Sequence, residues 1–169
     1  FAFSFRRQAA MAPGSSPRRA LATALVTFLI ALPFVFLTGF LWTAVLELCG
    51  LPVEKQLAVE LFDTTTSKPW LIAFGAMAVV LAPTVEELVF RAGFFRYLRT
   101  RIPRWAALVG PACVFGALHN NLASLAPLIV LGVIFSLAYE RTGQIGTAIV
   151  AHAFFNLNMV ILLLAGVTV

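Results

Sequence analysis

Charge is scarce in this sequence: 11% of its 169 residues are Asp, Glu, Lys or Arg, against about 25% in an ordinary soluble domain. With 61% of the residues apolar, a soluble fold of this size could not cover its own apolar surface. That excludes a cytosolic enzyme, a nucleic-acid-binding domain and a disordered tail. Cysteine is nearly absent as well. Cys49 and Cys113 stand in different apolar contexts with no C-x-x-C, so a disulfide-stapled module is excluded and both read as small hydrophobes. Glycine-rich phosphate loops, internal repeats and low-complexity stretches are missing too. No Ser, Thr or Cys is placed beside a base as a nucleophile, and Cys113 falls on a different helical face from His119.

What the chain does have is long apolar runs. One membrane-spanning helix needs roughly 20 apolar residues, so the composition allows about five. The sequence predicts an all-α, polytopic membrane helix bundle of about five transmembrane helices plus a short amphipathic interfacial helix. The spans fall at residues 21–46, 69–98, 105–118, 125–139 and 145–164, with the register kinked at Pro33 and interrupted at Pro83. Within residues 47–68, Leu57 and Leu61 share a face that excludes Glu54, Lys55, Glu60 and Asp63, which fits a helix lying in the interface. Gly143 supplies a helix stop after the fourth span.

Residues 1–19 read as a flexible, basic, cytosolic leader, and residues 20–169 as one membrane-embedded domain. The apolar run after Arg18 and Arg19 is too long for a signal-peptide core. The net charge of +5 does not point to nucleic acid, because no basic stripe with interleaved aromatics occurs. Instead Arg6, Arg7, Arg18 and Arg19 precede the first span, Arg96, Arg99, Arg101 and Arg104 separate the second from the third, and Arg141 follows the fourth. Alternating spans put all three groups on one side. The positive-inside rule then makes that side and the N-terminus cytoplasmic, with the C-terminus outside.

Against this background a few polar residues stand in the wrong place. Glu86, Glu87 and Arg91 lie within VVLAPTVEELVFRAGFF, and unpaired they would oppose insertion by about 8–10 kcal/mol. Intramembrane charges are functional candidates by default. Glu87 and Arg91, four apart, share a helix face and can pair. Glu86 is turned about 100° away and has no partner within its own helix, which leaves it available to take a proton. His119 follows Phe115 by four, and His152 precedes Asn156 by four. At about 1.5 Å per residue, Glu86 lies some 15 Å from Arg96, His152 some 12 Å from Gln144 and His119 some 20 Å from Trp105, all inside the hydrocarbon zone. A carboxylate that can activate water, imidazoles that can orient it and an amide donor suited to an oxyanion point to hydrolysis of an acyl bond, a peptide above all.

At these residues the sequence resembles the CAAX protease and bacteriocin-processing (Abi) family, which includes the type II CAAX prenyl endopeptidases. Its E-E-x-x-x-R motif reads Glu86-Glu87-Leu-Val-Phe-Arg91, its F-x-x-x-H motif runs from Phe115 to His119, and its H-x-x-x-N motif from His152 to Asn156, within a core of about residues 69–165. The resemblance implies an intramembrane endopeptidase. In it Glu86, assisted by His119, activates water, His152 and Asn156 stabilise the scissile carbonyl, and Glu87 and Arg91 hold the first motif in place. The implied partners are a peptide or protein substrate, lipidated or not, and the lipid bilayer. No cofactor is favoured. Zinc on Glu86, His119 and His152 is the alternative, but it would leave Glu87 as the sole nearby acid to serve as base. A catalytically silent immunity or peptide-binding protein of the same fold shares every motif. A proton-coupled carrier would also place Glu and His in the membrane, but the sequence shows no paired repeats.

Overall fold

A computed structural model describes residues 16–167, all of whose regular elements are helices. Most of the expected basic leader therefore lies outside the described residues. The first helix, α1, runs from Pro17 to Leu48. The Ser16 side chain caps it by accepting from the Arg19 N–H, and Pro17 occupies the first turn, where its missing N–H costs nothing. The helix continues through Pro33. Proline removes one hydrogen bond, whereas a break in lipid would strand several backbone groups at once. Ala20, Ala24, Thr27 and Ala31 form its buried stripe, and such small side chains let helices approach closely.

Gly50, at φ 68°, turns the chain out of α1. The helix α2, Leu57–Thr64, is short as expected, and Phe62 packs its ring 6.4 Å from that of Phe74 on the next helix. That helix, α3, spans Lys68–Arg99. Its pitch loosens to i→i+5 hydrogen bonding over Met77–Leu81 and again over Leu88–Phe95, with ordinary α-helix over Ala82–Glu87 between them. Then follow α4 (Arg104–Ala117), α5 (Leu122–Thr142) and α6 (Ile145–Leu164). Gly143, at φ 66°, ends α5 in the left-handed conformation anticipated for it.

Four helices, α1, α3, α5 and α6, are long and apolar enough to cross a bilayer. The expected third span is the exception. At 14 residues, α4 covers about 21 Å, less than the roughly 30 Å of hydrocarbon. It nevertheless links the two ends of the bundle. At one end Trp42 donates from Nε1 to Leu122 O at 2.8 Å, and Asn121 Nδ2 donates to Glu54 O at 3.0 Å. At the other, Glu140 of α5 accepts from Arg99 at 2.6 Å and from Arg104 at 2.7 Å, and antiparallel packing brings the N-terminus of α1 to that same end. All three described cationic groups thus gather there.

The core centres on α5 and α6, where Leu131, Phe135, Tyr139, Ala148, Ala151 and Phe155 pack with Phe95 of α3. Outward faces are apolar instead of polar: Leu29, Phe40, Ile72, Val80, Val89 and Ile161 are all exposed. Such a surface is stable only in lipid. The chain is an integral membrane protein.

Candidate active site

The loosened middle of α3 carries the first motif. Pro83 is fully buried, and the stretch of i→i+5 bonding just before it marks a place where the helix has been reshaped. Three residues on, the two adjacent carboxylates diverge. Glu87 points into the bundle, 0% exposed, and its Oε1 lies 2.9 Å from Arg91 Nη1, the pair that the four-residue spacing predicts. Arg91 is equally buried. Its Nη2 donates to Gly132 O at 3.0 Å, and its guanidinium carbon lies 4.9 Å from the ring centre of Phe115 and 5.5 Å from that of Phe135. One carboxylate, one carbonyl and two aromatic faces replace the water the cation has lost.

Glu87 Oε1 also meets His152 Nδ1 at 2.9 Å. A carboxylate accepts, so Nδ1 carries the proton and Nε2 of a neutral ring is a bare acceptor. That nitrogen faces Glu86, whose Oε2 is 3.7 Å away. The gap is too long for a direct hydrogen bond and short enough for one water molecule to touch both atoms. Glu86 keeps 28% of its side chain exposed, against 4% for His152. Of the two neighbouring acids, therefore, one is locked into the fold and the other is only partly covered by it.

His119 lies just past the end of α4, in a turn closed by Asn120 at φ 48°, a left-handed conformation that asparagine tolerates better than most residues. Its Nδ1 is 2.8 Å from Phe115 O. A carbonyl can only accept, so this ring too is held with Nδ1 protonated, which makes Nε2 of a neutral ring the acceptor. The two imidazoles meet across the ring of Phe115, whose centre lies 4.9 Å from that of His119 and 6.1 Å from that of His152. Asn156, one turn beyond His152 on α6, donates from Nδ2 to Ala78 O of α3 at 2.8 Å.

Glu86, Glu87, Arg91 and His152 thus form one connected group, His119 joins it through Phe115, and Asn156 grips α3 further along. Among the described residues no three His, Cys, Asp or Glu side chains converge as ligands, although the hydrogen bonds at both Nδ1 atoms leave each Nε2 open. A cavity of about 390 Å³ opens beside the His119 turn, between the 52–54 loop and the start of α5, with Ala117, Asn120 and Asn121 in its wall. Glu86 and His152 do not line it.

Two residues escaped the sequence reading. Gly132 lets α4 and Arg91 come close: a Cβ there would stand 2.9 Å from Ala112 Cβ and 3.4 Å from Arg91 Nη2. Phe135 stacks on His152 with ring centres 4.9 Å apart. A glycine inside an apolar span was the one available signal, since small residues mark close helix contacts in membranes.

Comparison with known proteins shows what the chain is similar to. The chain is 27% identical over 139 residues to "Putative membrane peptidase YdiL" of Bacillus subtilis (strain 168), covering 82% of this chain and 54% of that protein. It is 29% identical over 86 residues to "UPF0177 protein YbdI" of Lactococcus lactis subsp. lactis (strain IL1403), covering 50% of this chain and 46% of the relative. An uncharacterised protein of Mycoplasma capricolum subsp. capricolum is 27% identical over 100 residues, 57% of this chain and 29% of its own length. The chain therefore spans about half the length, or less, of these relatives. No solved structure matches. The family model described as type II CAAX prenyl endopeptidase Rce1-like matches residues 68–158, a stretch that holds all three motifs and more than half of the chain, and the chain belongs to that family.

Proposed function

We propose that this protein is an intramembrane endopeptidase that hydrolyses a peptide bond with a water molecule activated by Glu86. The observation that carries the reading is the 3.7 Å gap between Glu86 Oε2 and His152 Nε2, beside an imidazole whose other nitrogen is fixed by Glu87. A water in that gap donates to both acceptors and turns its lone pairs towards an incoming carbonyl. Glu86 takes the water's proton as the oxygen bonds to the carbonyl carbon. The protonated Glu86 then passes that proton to the departing nitrogen as the C–N bond breaks. His119, on the other side of the Phe115 ring from His152, assists by orienting the substrate or the water. Glu87 and Arg91 do no chemistry in this scheme; they hold His152 in the required tautomer.

The substrate class is a peptide or protein segment delivered within the bilayer, with or without a lipid anchor. The cationic end, with Arg18, Arg19, Arg99, Arg104 and Arg141, faces the cytoplasm. The N-terminus is then cytoplasmic and the C-terminus of α6 external. The family's "prenyl endopeptidase" description and the name of the Bacillus relative support a peptidase.

The test is cleavage by purified protein in liposomes of lipid-anchored and unmodified peptides, read by mass spectrometry. Products that together exceed the substrate by one water support the reading. If the wild-type chain retains peptides intact, and Glu86→Gln retains them equally, the protein is instead a silent binding or immunity protein.

A further inference from the structure

The family resemblance placed Asn156 at the scissile carbonyl, but the hydrogen bond it makes here has a different logic. Over Met77–Leu81 the backbone of α3 bonds i→i+5, and Ala82 N–H donates to Met77 O. In that register the next carbonyl, Ala78 O, would be served by the N–H of residue 83. Residue 83 is proline and has none. In lipid no water can take its place, so the orphaned oxygen must find a donor inside the protein. Asn156 Nδ2 donates to that atom, at 2.8 Å.

We propose that Asn156 is a positioning residue for Glu86: its side chain supplies the N–H that Pro83 lacks and so holds α3 in the register that turns Glu86 towards His152. Two contacts from one face of α6 bracket the proline. His152 reaches Glu87 and Glu86 just beyond it, and Asn156, one turn along, reaches Ala78 just before it. Loss of the wide turn would shift everything downstream by one residue, about 100° of rotation. Glu86 would then leave His152. The proposal bears on the endopeptidase reading but does not depend on turnover for its test.

The experiment is a four-member cycle: wild type, Asn156→Ala, Pro83→Ala and the double variant. Unfolding in detergent is followed without substrate, and peptide cleavage is followed alongside. Asn156→Ala should lower both stability and kcat, the latter by about 10- to 100-fold, as expected for a misplaced catalytic group. In the Pro83→Ala background, which restores an N–H, the same asparagine change should cost far less in both readouts, so that the double variant is at least about tenfold more active than Asn156→Ala alone. Pro83→Gly carries the same N–H and serves if the alanine variant fails to fold. Equal losses in the proline and non-proline backgrounds would overturn the proposal and return Asn156 to a direct role on the substrate. A wild-type chain that cleaves nothing would defeat the endopeptidase reading while leaving the unfolding cycle to decide this one.

Discussion

Glu87 and His152, 65 residues apart in the chain, share a buried hydrogen bond of 2.9 Å on the same carboxylate oxygen that pairs with Arg91. The arrangement binds α3 to α6 and leaves His152 Nε2 aimed at Glu86. Removing Glu87 should therefore damage the fold before it damages the chemistry. Glu87→Ala strands the Arg91 cation in the core and is expected to destabilise by about 3–5 kcal/mol, measured by unfolding in detergent. Replacing both members, Glu87→Leu with Arg91→Met, should cost less than half as much. A double replacement as damaging as the single one would contradict the pairing.

Helix contact at Gly132 leads to a second expectation. Gly132→Ala places a methyl group 2.9 Å from Ala112 Cβ and should destabilise by about 1–3 kcal/mol through overpacking. Gly110, also within a helix, has open space where its Cβ would be. Gly110→Ala should be neutral or slightly stabilising. Equal unfolding temperatures for the two variants would argue against the close α4–α5 approach.

Glu140 joins the ends of three helices through Arg99 and Arg104, whose side chains are 13% and 54% exposed. Arg104→Ala should cost under about 1 kcal/mol, and less in high salt, because exposed ion pairs are weak and screened. Glu140→Ala removes the carboxylate from both arginines and should cost more. Unfolding of the two variants at low and high ionic strength tests this order, and a reversal would contradict the clamp.

Metal removal separates the two mechanisms. Because Glu86, His119 and His152 do not form a three-donor set among the described residues, cleavage should persist after chelation, and purified protein should hold zinc well below one ion per chain. Activity lost to a chelator and restored by zinc would reverse that assignment.

Much of this was legible in the sequence, for physical reasons that differ by feature. Length and hydropathy suffice for α1, α3, α5 and α6, since a bilayer imposes its thickness on any apolar run. The Glu87–Arg91 pair follows from helical spacing alone. Gly143 is a stop signal because glycine alone adopts its positive φ cheaply. By contrast, the Glu87–His152 bond depends on how two distant helices rotate against each other, and nothing local encodes that. The i→i+5 turns were invisible because Pro83 signals only that a hydrogen bond is missing, not how the helix relaxes around the loss. Pro33 illustrates the same ambiguity with the opposite result, an unbroken helix. The bounds of α4 were legible to within one residue at each end, but its 14 residues fall short of the hydrocarbon thickness, so its apolar composition alone overstated it as a span.

The central claim is that Glu86, and not its buried neighbour, activates the water. Its most direct test is the single-turnover cleavage rate of Glu86→Gln in liposomes, with unfolding measured on the same preparation. The account predicts a rate lower by at least about 100-fold, the scale of a lost general base, and an unfolding temperature close to that of the wild type, because Glu86 makes no buried ion pair with Arg91. Cleavage at the wild-type rate by the folded Glu86→Gln protein would contradict it.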